Sequence, residues 1–338
     1  VNRAAPRGST FSGLLDLPPK LFLPALLLTV LLALVSLFVG VRDVSPFDLF
    51  SGAADQRDLM VLLASRVPRT IALVLAGSGM AIAGTIMQML ARNRFVEPST
   101  AGTVESAGLG MLTVLLIAPD MPVIAKMLVA AAFSMAGTAL FLSILRAIPL
   151  RSILMVPLVG IMLGGMISAV TTFFAYRFDL LQSMGAWASG DFSVVLRGRY
   201  EILWVAFALT IAAYVAADRF TVAGMGEAFS SNLGLNYRKV MTLGLIIVSM
   251  VTACVVVTAG VVPFLGLIVP NVVSMIMGDN LRRSLPWIGL CGAALVLVCD
   301  IIGRVINAPF EIPVGAVLGI VGSLFFLYLL IGRRNRVA

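Results

Sequence analysis

Long apolar runs alternate with short polar connections along the whole chain, and that alternation sets the architecture. Ten apolar stretches follow one another, at 21–41, 66–90, 100–118, 122–147, 152–176, 200–217, 238–259, 263–278, 285–307 and 313–332. A run of ~20 apolar residues crosses a ~30 Å hydrocarbon layer as a helix, with its backbone polar groups satisfied inside the segment. No polar segment is long enough to fold as a soluble domain of its own. The pattern therefore predicts an all-α integral membrane protein of about ten transmembrane helices. A single transmembrane domain covers 21–332, flanked by cytoplasmic tails at 1–20 and 333–338. The stretch 263–278 is short and carries Pro263 and Pro270, with Gly260 and Gly266 nearby, so it is expected to be a broken helix. Such backbone is tolerated at membrane depth only inside protein or beside a cavity.

Composition agrees: 60% of the 338 residues are hydrophobic, 12% are charged and mean hydropathy is +1.06. A soluble domain needs more polar surface to cover its core. The net charge of +8 could suggest a nucleic acid partner, but its distribution decides otherwise. With the N-terminus inside, 15 of the 24 lysines and arginines fall on the cytoplasmic side, including Arg92, Arg94, Arg146, Arg151, Arg238 and Lys239. Asp43, Asp48, Asp55 and Asp58 gather in one external loop. That bias places both termini in the cytoplasm of a bacterial inner (plasma) membrane. The run 21–41 is too long for a signal-peptide core and reads as a retained first helix. Absence of histidine removes the usual haem ligand and the easiest proton relay. Cys254, Cys291 and Cys299 lie in apolar stretches without a CxxC pair and read as small core residues. No catalytic constellation and no metal site can be assembled, and there is no G-x-x-x-x-G-K-[ST] nucleotide loop.

Small residues let helices approach closely where lipid offers no hydrophobic drive. Gly77, Ala81 and Gly84 supply them in the second run, Gly160 and Gly164 in the fifth, and Gly315, Gly319 and Gly322 in the last. They serve packing within one subunit or an interface between subunits. Met155, Met162 and Met166 read as adaptable filler. Two ionisable groups fall inside the membrane, Glu105 and Asp300. Asp300 stands four residues before Arg304, so the two can pair along one helix face. Arg66 and Arg69, three residues apart at a predicted helix start, make with Arg304 a cationic group at the outer face. That group suits either an acidic partner or the lipid headgroups. On the inner side the loop 222–236 forms the longest cytoplasmic connection. Its glycines bracket a turn or two of helix, which caps the bundle or grips a motor protein.

Several motifs in one order resemble the iron-siderophore and cobalamin permease family of type II ABC importers (FecCD/BtuC-like). They are Arg66-Val67-Pro68-Arg69-Thr70; Gly84 and Gln88 followed by Asn93 and Pro98; Ser230 to Gly234; Gly260, Phe264, Gly266, Leu267, Pro270 and Asn271; and Asp300 and Arg304 followed by Glu311, Pro313 and Gly315. The resemblance covers about residues 60 to 332. It implies a permease subunit of an ATP-driven importer of ferric siderophore, with the translocation path at a dimer interface between two permease copies, identical or paralogous. It further implies cytoplasmic ATPase subunits that use the ATP, a periplasmic or lipid-anchored substrate-binding protein, and no cofactor on this chain. By position, Arg66, Arg69 and Arg304 would dock the binding protein. Gly226, Glu227, Ala228, Ser230, Leu233, Gly234 and Leu235 would couple to the ATPase, and Asn93 and Phe95 would form the cytoplasmic gate. Two positions depart from the pattern: Arg94 replaces the usual proline after the gate asparagine, and Asn271 replaces a histidine. The stretch Glu97 to Glu105 looks more like the ferric-siderophore branch, especially its catecholate or carboxylate importers, than the cobalamin or haem branches. From a different class, an ion-coupled secondary transporter would need no ATPase.

Overall fold

The computed structural model describes residues 21–40, 56–148 and 154–334. The expected N-terminal tail, Asp43, Asp48, Asp55, Arg151 and residues 335–338 lie outside the described residues. Each of the ten apolar runs is helical. They appear as α1 (Phe22–Phe38), α2 and α3 (Gln56–Val61 and Val67–Leu90), α4 (Thr103–Ile117), α5 (Val123–Ala147) and α6 (Met155–Arg177). Beyond a short α7 (Leu181–Ala188) come α8 (Leu203–Val215), α9 (Ala217–Gly224) and α10 (Glu227–Asn232). The chain ends with α11 (Tyr237–Ala259), α12 (Leu265–Met277), α13 (Leu281–Ile306) and α14 (Val314–Arg334). Among the described residues five helices are long and apolar enough to cross a membrane, a bent pair makes a sixth, and there are four shorter apolar helices.

The small-residue helix α3 is the axis. Of its apolar window 83% is buried, and α8, α11, α12 and α13 pack around it. Helix α3 meets α12 at two glycines: a Cβ on Gly84 would stand 2.3 Å from Gly266 Cα, so no side chain fits at that crossing. At the opposite extreme, α6 buries only 28% of its window and exposes Ile161, Met162 and Met166.

Two local expectations were off, each for a physical reason. The helical path expected to start at 66 is already present at 56, where the description of this stretch begins. Pro68 stands in the first turn of α3, and a π-helical stretch over Leu62–Arg66 joins α2 to that turn. Proline has no N–H for the carbonyl four residues back. The Ala64 carbonyl instead accepts the Arg197 backbone N–H at 3.1 Å. The second concerns 263–278. Residues 260–263 are non-helical, but α12 runs unbroken through Pro270. The bent crossing is α8–α9, which turns by 66° about Ala216.

Candidate functional site

At one end of the bundle lies a charged cluster. Asp300, fully enclosed, accepts Arg69 Nη2 at 2.7 Å and Nε at 3.1 Å, and pairs through its other oxygen with Arg304. Arg69 Nη1 reaches Glu311 Oε2 at 2.6 Å. The α13 pair expected from the i, i+4 spacing is therefore present, and Arg69 of α3 and Glu311 extend it to four charges. Other donors of Arg304, with those of Arg66, finish α1. The last carbonyls of a helix lack intrahelical partners and carry partial negative charge. Arg304 Nη1 donates to the carbonyls of Ser36 (2.9 Å) and Val39 (2.7 Å), and Arg66 Nη1 to those of Leu37 (3.0 Å) and Phe38 (3.2 Å). Arg66, Arg69 and Arg304 are all buried. Their guanidiniums face α1, Asp300 and Glu311.

At the other end the chain leaves α3 through residues 91–102 and turns back into the bundle. Asn93 Oδ1 accepts the Phe95 N–H at 2.8 Å, which closes the turn, and the Phe95 ring stands edge-on to Phe326 of α14 at 5.9 Å. Further along, the Thr100 carbonyl takes the place a side chain would fill on Gly160 of α6. Both expected gate residues thus sit in one buried loop wedged between α6, α12 and α14.

What hangs this loop is α12. With 13 residues it is only ~20 Å long, so its first turn begins inside the bundle with unpaired amides. Glu97, buried in the loop, accepts the Phe264 N–H at 2.7 Å on Oε1, and Ser99 Oγ donates to the same oxygen. An anion at a helix N-terminus is favoured by the dipole. Phe264 itself holds a left-handed backbone, φ 62°, which costs a non-glycine residue ~1–2 kcal/mol and marks a stressed joint. Gln88 Nε2 adds a bond to the Gly266 carbonyl at 3.2 Å.

The two departures from the family pattern meet here. Asn271 Nδ2 donates to the Arg94 carbonyl at 2.8 Å, while Arg94 Nη2 pairs with Asp279 at 2.6 Å. With asparagine in place of histidine, an amide donor holds the loop where no proline stiffens it. Glu105, half-buried in the first turn of α4, lies against Gly164 on α6, and its Oε2 has no partner among the described residues.

Next to the loop sits α10. Gly226, at φ 111°, starts it, and Ser230 Oγ folds back to the carbonyls of Val222 (3.0 Å) and Gly226 (2.7 Å). That buries Ser230 and leaves Glu227, Ala228 and Gly234 outside, with Leu235 half-buried. Met225, Phe229 and Leu233, four residues apart, form an exposed apolar stripe. Arg92, the second residue of the 91–102 loop, lies against Gly226, and Met89 against Gly224, so α10 touches the stem of the loop.

The FecCD transport family matches residues 27–332. The chain belongs to that family. It is 50% identical over 308 residues to the petrobactin import system permease protein YclN of Bacillus subtilis, covering 91% of this chain and 97% of that one. It is 42% identical over 316 residues to the petrobactin import system permease protein FatD of Bacillus anthracis, covering 94% and 92%. A solved structure described as an inward-facing conformation of a metal-chelate type ABC transporter shares the fold. Its TM-score is 0.78 at 24% identity, covering 93% of this chain and 99% of that one. The family inferred from the ordered motifs is thus the family found, and the all-α permease fold with it. Motif reading within the family did not single out Glu97, which ties the loop to the start of α12. Its signal was an acid directly before Pro98 in a connection between two apolar runs, a place with little water for a charge.

Proposed function

We propose that this FecCD-family chain is the permease subunit of an ATP-driven importer of a ferric siderophore, with a petrobactin-type chelate as cargo. The observation that carries this reading is the 50% identity, over nearly the full length of both chains, to a petrobactin import permease. The haem and cobalamin alternatives have weaker support, since the vitamin B12 permease BtuC of Vibrio parahaemolyticus is 29% identical.

In this reading the end with α10 faces the cytoplasm, both termini lie there, and the membrane is the bacterial inner membrane. The Met225–Phe229–Leu233 stripe seats in an ATPase subunit, since an exposed apolar stripe on a short helix needs a partner to cover it. Gly226, Glu227, Ala228, Ser230, Leu233, Gly234 and Leu235 shape that contact. Closure of the ATPase pair pushes α10 against Arg92 and Met89 and so tilts the gate loop with Asn93 and Phe95. Because Glu97 and Asn271 tie the loop to α12, loop and half-length helix move together. A second permease copy, identical or paralogous, packs along the exposed face of α6, whose low burial supports it. The path then runs between the copies, near Glu105. A binding protein docks at the charged end. The burial and internal bonds of Arg66, Arg69 and Arg304 favour a role in shaping that surface over direct pairing with the visitor. This chain makes no covalent change and uses no cofactor; ATP is spent on its partner.

The test is uptake of radioiron-labelled petrobactin into proteoliposomes holding the permease with its ATPase and binding protein. Uptake should need ATP and vanish with a Walker-lysine-dead ATPase. Uptake that survives the dead ATPase but collapses with an uncoupler would establish the ion-coupled rival.

A further inference from the structure

Along the flank of the bundle, at the end where α10 lies, α5 and α11 part to leave a groove of about 370 Å³. Leu142 from α5 with Met241 and Leu245 from α11 make its apolar floor, and Arg146 and Arg238 stand on either side. Ser143 and Thr242 also line it, but their hydroxyls are spent on the carbonyls of Ala139 (2.6 Å) and Arg238 (2.9 Å). The free donors are therefore the two guanidiniums. Two other exposed arginines at this end have carboxylate partners, Arg94 with Asp279 and Arg282 with Asp218, each at 2.6 Å, while the exposed Arg92, Arg219 and Arg283 line no such apolar groove. Arg146 and Arg238 are exposed, pair with no acid among the described residues, and no carboxylate lines the groove.

We infer that this groove binds an anionic phospholipid of the adjacent leaflet, its phosphate between Arg146 and Arg238 and an acyl chain along Leu142, Met241 and Leu245. The shape matches such a ligand in both halves. Basic pockets between spanning helices at the cytoplasmic side recognise anionic headgroups, and the apolar floor continues along two helices into the hydrocarbon. A soluble partner would find its apolar contact on α10 instead. Occupancy would brace α5 against α11, the helix that follows α10, so the lipid sits where it can tune coupling. The leaflet assignment rests on the orientation proposed above; lipid binding itself does not.

The experiment titrates the purified full-length permease, in neutral detergent, with dioctanoyl phosphatidylglycerol, dioctanoyl phosphatidylcholine or glycerol 1-phosphate, reading bound ligand by native mass spectrometry. Phosphatidylglycerol should bind well ahead of the other two. The double variant R146Q/R238Q should weaken it roughly thirtyfold, and each single variant roughly fivefold, from the contribution of one basic side chain near an anionic surface. R146K/R238K should keep most of the affinity. A thermal unfolding scan without lipid confirms that each variant is folded, and the single variants carry the test if the double is not. Equal binding of the two lipids, equal binding of glycerol 1-phosphate, or full retention by the folded glutamine variants would overturn the inference. So would loss of the ATPase subunit from R146Q/R238Q with phosphatidylglycerol binding intact, which would assign the groove to protein. Transport that fails while lipid binding holds would count against the importer reading alone.

Discussion

The two ends of the bundle are held by different physics. At the charged end Asp300 is enclosed by two guanidiniums, and Arg66 and Arg304 finish the carbonyl end of α1. Ionised partners in a water-poor site bond strongly, and removing one strands the others. At the loop end the seam holds the Glu97 carboxylate on a helix start and the exposed Arg94–Asp279 pair, and otherwise one ring contact and the neutral Asn271 and Gln88 amides. Neutral hydrogen bonds of that kind contribute about 0.5–1.5 kcal/mol each, within reach of a nucleotide-driven partner. The contrast suits a transporter subunit, which needs one end that keeps its shape and another that lets go.

Four substitutions probe that contrast, in falling order of effect. Asp300→Ala leaves Arg69 and Arg304 buried without their shared anion and should cost about 3–5 kcal/mol, seen as a large drop in thermal unfolding temperature and in folded yield. Gly84→Ala pushes a methyl into Gly266 and should cost about 1–3 kcal/mol, whereas the control Gly108→Ala, inside α4 with nothing within 4 Å, should cost nothing or stabilise by up to about 1 kcal/mol in the same scan. Asn271→Ala removes one loop anchor worth about 1 kcal/mol. Its stability should barely change while ATP hydrolysis rises relative to cargo moved, a mark of an uncoupled gate. Asp279→Asn breaks an exposed pair with Arg94, beside an exposed bond from Ser274 Oγ that an amide oxygen can still accept, and should shift stability by less than about 1 kcal/mol. Should Asn271→Ala destabilise as much as Asp300→Ala, the two ends would not differ as described.

Much of this molecule was readable in its residues. The apolar runs marked helices among the described residues because the membrane demands length and satisfied backbone, and both demands are written in composition. The i, i+4 spacing exposed Asp300–Arg304, but nothing local announced that Arg69, 231 positions away, shares the same carboxylate. The helical turns ahead of Arg66 escaped because a π-helical stretch can join a helix to a first turn that holds a proline, a tertiary accommodation without a sequence mark. The bend at Ala216 has neither proline nor glycine within it, so the chain offered no punctuation there. Asn93 and Phe95 were named by their place in the motif, and the structure sets both in one buried loop. Glu97 escaped because a helix that starts inside the bundle, with amides awaiting an anion, exists only after folding.

The most direct test of the account is hydrogen–deuterium exchange on the assembled transporter, at rest and during ATP turnover. The account predicts faster exchange at 93–100 and 264–268 under turnover, with 69–73 and 300–304 unchanged. Faster exchange in the charged end with a silent gate loop would contradict it.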